Sequence, residues 1–216
     1  MELAALERHY FESVISGWRY FQTSYAKDGT ACVHCHRDHD DIKLWAGAYP
    51  KVEPFDGTPY EVKTLGKVVS EALEKHTDLD ESGRSAMVPD IVSYIFFRGF
   101  GTFIRPGKSE SFPPPSRDME LLSKSYLRGK ASFPRTCGHC HENTFSHQVV
   151  GKKLMVEAST RFPHFVHKKN RVLSLESFLR SHSEDKGVSL SNSSVTDLCA
   201  YLRQEASGMA IHPGKL

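Results

Sequence analysis

No stretch of this chain approaches the run of about 18 apolar residues that a membrane-spanning helix needs, so no integral membrane segment is expected. Net charge is also scarce. The 28 Lys and Arg nearly balance the 26 Asp and Glu, leaving +2 and no polybasic face for nucleic acid or anionic lipid. The start, Met1-Glu2-Leu3-Ala4, lacks a basic segment leading into an apolar one, so it does not read as an export signal. Tryptophan occurs only twice, and cysteine only five times. What remains, 39% hydrophobic and 25% charged residues over 216 positions, is ordinary for globular protein and long enough for two domains of about 100 residues.

Four of the five cysteines lie in two copies of one motif, Cys32-Val33-His34-Cys35-His36 and Cys137-Gly138-His139-Cys140-His141. Cys-x-x-Cys alone fits a zinc knuckle or a dithiol redox pair, and the residue after the second Cys separates them. His in that place is the pattern of covalent c-type haem attachment, in which the thiols add to the vinyl groups and the imidazole reaches the iron. Two covalently attached haems c are therefore expected, on Cys32 and Cys35 and on Cys137 and Cys140, with His36 and His141 as proximal ligands. His34 and His139 are too close to their tethers to fold back on the same iron and read as surface or haem-edge imidazoles. Cys199, in an apolar helical setting, reads as a packing residue.

Along the chain, Leu3, Leu6, Tyr10, Phe11, Val14, Ile15, Trp18 and Phe21 predict one broad apolar stripe on a helix of about five turns. The stretch Arg37 to Asp41 reads as a solvated loop, with a weak metal-site alternative at His39 and its aspartates. Irregular chain is expected from Trp45 to Pro59. Leu65, Val68, Val69, Ala72, Leu73 and His76 share one helical face, which makes His76 the candidate sixth ligand of the first haem, with Met87 as its rival. Another helix begins near Asp90. The Pro-rich stretch 105–116 reads as a linker between a first domain, 1–104, and a second, 117–216. After it, Met119, Leu122, Tyr126 and Leu127 predict the buried face of a helix capped by Ser116.

The second half repeats the first. Phe162-Pro163 answers Tyr49-Pro50, and Asp197-Leu198-Cys199-Ala200-Tyr201-Leu202 answers Asp90-Ile91-Val92-Ser93-Tyr94-Ile95. His182 ends the stripe Leu175, Phe178, Leu179 behind a Ser174 cap, 41 residues after His141, where His76 follows His36 by 40. It is the candidate sixth ligand of the second haem, ahead of His147, Met155, His164 and His167. The tail from Ser207 to Leu216 has no periodicity and reads as mobile. The expected fold is mainly α, two tandem cytochrome c-type haem domains related by this repeat.

The segments Ala158 to Phe165 and Arg171 to Glu176, with the closing helix, resemble the SoxA-type di-haem cytochromes of sulfur oxidation over most of residues 126–205 and, more loosely, 18–97. The resemblance implies two fused cytochrome c domains. The family's ligand Cys falls at the position of His182 here, and an imidazole cannot carry sulfane sulfur as a thiolate can. Two irons each held by two histidines leave no open coordination position, so electron transfer is expected rather than catalysis. Sulfur-compound (thiosulfate) oxidation and small-ligand sensing are the alternatives. The setting expected is the periplasm, with the export signal removed, and the partners expected are redox proteins, a heteromeric complex among the forms considered.

Overall fold

The computed structural model describes residues 7–37, 39–53, 60–107, 116–138 and 155–214. In chain order they form α1 (Arg8–Gln22), a short α2 (Cys32–Cys35), α3 (His39–Ala48), β1 (Lys51–Glu53), β2 (Glu61–Lys63), α4 (Leu65–His76) and α5 (Glu81–Arg98). Next come α6 (Ser116–Phe133), a π-helical turn (Pro134–Gly138), a helical turn at 155–159, β3 (His164–Val166), a 3-10 turn (His167–Lys169), β4 (Arg171–Leu173), α7 (Leu175–Glu184) and α8 (Asn192–Glu205). Side chains of Glu7, Thr64, Asp80, Ser174 and Ser191 accept first-turn N–H groups of α1, α4, α5, α7 and α8, satisfying donors that a helix start leaves unpaired.

The contacts that hold α1 on α5 recur where α6 meets α8. Gly17 lies so close to the Asp90 carbonyl that a Cβ would collide with it, and Gly129 stands in the same relation to the Asp197 carbonyl. One turn earlier, Ser13 Oγ donates to Asp90 Oδ1 at 2.5 Å and Ser125 Oγ to Asp197 Oδ1 at 2.6 Å. One turn later, Phe21 meets Tyr94 with ring centroids 5.5 Å apart, and Phe133 meets Tyr201 at 5.2 Å. A Ser-x-x-x-Gly-x-x-x-Phe face thus packs on an Asp-x-x-x-Tyr face in both halves.

These faces correct the apolar stripes. α1 buries Tyr10, Ser13, Val14, Gly17 and Phe21, whereas Phe11, Ile15 and Trp18 are exposed. α6 buries Leu122, Ser125, Gly129 and Phe133, whereas Met119 and Leu127 are exposed. Close backbone approach at Gly, and a hydroxyl satisfied across the interface, outweigh side-chain hydrophobicity in choosing the face. α1 spans 15 residues, about four turns; Leu3 and Leu6 lie outside the described residues.

The region expected to be irregular is instead helical at α3, because Ile42, Trp45, Ala46 and Tyr49 return at helical spacing and Ile42 and Ala46 are fully buried. Gly47 carries the Phe103 carbonyl against its backbone, where a Cβ would collide. α5 begins at Glu81, earlier than expected, behind its Asp80 cap.

Each half has one two-stranded antiparallel hairpin, β1 with β2 (Val52 opposite Val62) and β3 with β4 (Phe165 opposite Val172). A cis X-Pro bond precedes each, Tyr49-Pro50 and Phe162-Pro163, and an N-capped helix follows each. The hairpins cross over: β1 and β2 pack on α6, while β3 and β4 pack on α1 and α5. Val52 of the first half shares a buried cluster with Leu122 and Ala200 of the second.

The expected mobile tail is fixed as far as Gly214. Ile104 N–H donates to the Met209 carbonyl and Ile211 N–H to the Thr102 carbonyl, both at 2.9 Å. His212 N–H donates to Thr160 at 3.0 Å, and Glu7 N–H to the Gly214 carbonyl at 3.1 Å, so the tail ties 101–104, 160–163 and the start of α1 together. Ile211 is fully buried. Aperiodic sequence hid this because the segment is held by backbone bonds rather than by a patterned face. Residues 105–107 of the expected linker are anchored by Arg105 N–H to Gly47 and Gly107 N–H to Ala48; residues 108–115 lie outside the described residues.

Candidate cofactor site

Cys32 and Cys35 stand three apart in the single turn of α2, which puts both thiols on one side. The turn is capped by Ala31 N–H donating to His34 Nδ1 at 2.9 Å, so exposed His34 serves the local fold, as a surface imidazole. His36 follows as the C-cap, its ring edge-on to Trp45 at 4.9 Å and near Phe21 at 6.4 Å.

A cavity of about 420 Å³ opens beside these residues, within the range of cofactor pockets. Cys32, Cys35, His36 and His76 all line it, and its walls are apolar, with Phe21, Trp45, Leu65, Val68, Leu73 and Ile95 among them. The cavity therefore joins α2, α3, α4 and α5. His76, the last residue of α4, stands exposed at its rim, while Met87 is buried in the neighbouring core and does not line it. Burial holds the His36 imidazole below the usual histidine range, with His76 adding to the effect, and burial raises the Cys32 thiol. Uncharged imidazole is the form that ligates a metal. Two unpaired thiols on one turn, an imidazole beside them, a second imidazole across the space and apolar walls fit a covalently held haem.

In the second half Cys137 sits in the π-helical turn that continues α6, half-buried against the cluster of Phe133, Leu179, Leu198 and Tyr201, with Met155 on the same cluster. Cys140 and His141 lie outside the described residues, as do His139 and His147. His182 extends an aromatic row: it stacks on Phe178 at 5.3 Å, Phe178 meets Phe162 at 4.9 Å, and Phe162 meets His164 at 4.2 Å. Burial holds His164 below the usual histidine range. His167 is exposed and edge-on to Phe165, which also stacks on His9 and packs against the core of the first half, so it lies apart from this row. The side chain of His39 is not described, and among the described residues no cluster of three potential metal ligands occurs.

His76 and His182 do not hold the same step of their helices. His76 lies twelve residues after the cap Thr64, His182 eight after Ser174. The first-half residue at the step of His182 is Ala72, which lines the cavity, so that step faces the cofactor space and His76 lies one turn beyond it. Cys199 is buried on α8 and does not line this cavity; burial raises its thiol well above the ordinary range.

Mainly helical architecture around such a cavity is that of the cytochrome c fold. The crystal structure of SoxXA from P. pantotrophus contains a chain similar to this one with a TM-score of 0.72, covering 95% of this chain and 77% of that chain at 14% identity. At that identity the likeness concerns the fold, and it agrees with the mainly α, cytochrome c-type fold expected from the sequence. No family model matches the chain, and no curated protein matches it. Among the described residues, no helix is long and apolar enough to cross a membrane.

Proposed function

We propose that the protein is a di-haem c-type cytochrome that transfers electrons, its halves being two copies of one haem-binding unit. Cys32 and Cys35 tether the first haem with His36 as proximal and His76 as distal ligand; Cys137 and Cys140 tether the second with His141 and His182. The observation that carries this reading is the single cavity lined at once by both thiols of the first motif, His36 and His76. Met87 lies outside the lining, which favours His76. For the second site, support comes from the doubled motif and from Ala72, whose place in the cavity wall marks the step at which His182 stands.

A bound haem supplies a one-electron iron couple. The chain's own residues exclude water with Phe21, Leu65, Val68 and Leu73, orient His36 with Trp45, and leave the His76 side open to a partner. With both axial places taken by imidazole, the protein carries electrons between redox proteins instead of turning over a small molecule. Outside the cytoplasmic membrane, where haem is attached to such motifs, a periplasmic carrier or a subunit of a heteromeric redox complex fits this role. Optical and electron paramagnetic resonance spectra of the ferric protein test the ligands: two low-spin bis-imidazole haems are expected, and a thiolate or high-spin signature at either haem contradicts the assignment.

A further inference from the structure

At the junction of the halves lies a second, small cavity of about 40 Å³, enough for a water molecule. Its walls come from matching steps of the two halves, Tyr49 with Phe162 and Thr64 with Ser174, so it sits where equivalent parts of the two halves meet. Three pairs break the symmetry, always in the same sense. Gly66, Val92 and Phe96 in the first half stand where the second half has Glu176, Cys199 and Arg203.

Arg203 is buried, and its guanidinium joins the halves. It donates to the Ser159 carbonyl at 3.2 Å and to the carbonyl of Ala46, the residue at the matching step, and it lies over the Phe96 ring. Glu176 enters the space that Gly66 leaves, since any Cβ at 66 would strike its Oε1. The Thr64 and Ser174 hydroxyls face its carboxyl.

Position gives this carboxyl a role. Glu176, Thr64 and Gly66 line both the small cavity and a wide polar groove open to solvent, while Tyr49 and Leu65 line both the small cavity and the cavity proposed for the first haem. Glu176 therefore stands one residue layer from a redox centre, with a polar route to water behind it. We propose that Glu176 is a proton-binding site coupled to that centre: when a one-electron donor reduces the first haem, the Glu176 carboxylate takes one proton from solvent through the groove. The electron stays on iron and the proton on carboxylate oxygen, so the added charges cancel inside the protein. This rests on the haem assignment made above.

The surroundings suit the task. Burial raises the Glu176 carboxyl above the ordinary range, against the opposing pull of the two hydroxyls and of Arg180. The charged and titratable groups around it are Arg180 on its own helix, Cys199 and Arg203 on α8, and, lining the groove, Glu81 and Lys67 with its ion-pair partners Glu61 and Glu71; Arg128, also on the groove, is paired with Asp197. Arg203 is lowered only to about 10 and keeps its charge at neutral pH, and the Cys199 thiol is pushed well up, so of these three groups on the small cavity Glu176 is the one left to titrate. Reduction removes positive charge nearby and raises the carboxyl further, so the potential falls with rising pH between its oxidised-state and reduced-state values and is level outside them.

The test is spectroelectrochemistry of the intact holoprotein across pH, wild type against Glu176→Gln, with haem content and visible spectra recorded on both. The expected result is a first-haem potential that falls with pH in the wild type and is level over the same interval in the variant, at equal haem content. A level wild-type potential, or an unchanged slope in Glu176→Gln, overturns the proposal and leaves the haem assignment standing; absence of covalent haem overturns both. Should Glu176→Gln not accumulate, reduction-induced infrared difference spectra of the wild type and Glu176→Asp decide: a protonated-carboxyl band that appears on reduction and moves in the Asp variant supports the proposal, and no such band overturns it.

Discussion

α1 on α5 and α6 on α8 are built alike, yet α4 and α7, the helices that carry the proposed distal histidines, are not. The paired Ser, Gly, Asp, Phe and Tyr contacts agree to a few tenths of an ångström between halves, whereas His76 and His182 differ by a full turn. The helix pair is constrained because Gly admits a carbonyl and Ser must meet a carboxylate, so each residue has one acceptable place. A distal imidazole need only reach the iron, and two steps on one helical face can do so. The helix pair is therefore the fixed part of the unit, and the helix of the proposed distal ligand is where the two halves are free to differ.

The largest effects are expected at that variable position. His76→Ala should open the first iron and His182→Ala the second, each raising the potential of its own haem and creating carbon monoxide binding there alone. Adding Ala72→His to His76→Ala moves the imidazole to the step of His182 and should restore a low-spin first haem. Spectra of the reduced variants with and without carbon monoxide check all three. If His182→Ala leaves the spectrum unchanged, the ligand is sought at His164, the other imidazole of the aromatic row.

Next in size are the glycines. Gly17→Ala and Gly129→Ala each push a methyl into a helix carbonyl and should cost about 1–3 kcal/mol, similar in the two halves, by denaturant unfolding of the holoprotein. A large cost at one and none at the other would break the likeness of the helix pairs. Chain cleavage at 108–115 should leave the halves associated, because each hairpin packs on the helices of the other half and Arg203 bonds to both.

The smallest effect separates the two aspartates. Asp197 receives two hydrogen bonds of 2.8 Å from Arg128, while the matching step before Gly17 is Ser16. Burial raises the Asp90 carboxyl, with Ser13 opposing. A raised carboxyl means that the folded state holds its proton more tightly than the unfolded chain, so this group's contribution favours folding at acid pH and is lost as pH rises through its folded value. Asp90→Asn should remove that pH dependence and be best tolerated at neutral pH. Asp197→Asn should cost about 1 kcal/mol, since Arg128 is 60% exposed and water screens the pair. Urea titrations below and above the carboxylate range read both.

Much of this was legible in the sequence. The first Cys-x-x-Cys-His motif, the cap at Ser174, and the match of Asp90 to Asp197 are local patterns, and each marked its element; the cap at Thr64 was open to the same reading. The apolar stripes failed at Phe11, Ile15, Trp18, Met119 and Leu127 because the buried faces are built on Ser and Gly, which carry no hydrophobic signal; Ser13-x-x-x-Gly17 and Ser125-x-x-x-Gly129 could have been found as a repeat. Equal spacing from the motif histidines misplaced His182 relative to His76, since the segments between motif and helix differ in length. The placement of Glu176 and Arg203 and the small cavity between the halves could not be foreseen, because they depend on how the halves meet. Only comparison of the halves reveals that Gly66 makes room for Glu176.

Intact mass of the denatured wild-type protein tests the central claim most directly. Two haems joined through Cys32, Cys35, Cys137 and Cys140 predict a mass exceeding the polypeptide by two haem groups, with four thiols unavailable to alkylation and only Cys199 reactive. A mass carrying one haem, none, or zinc in place of haem would contradict it.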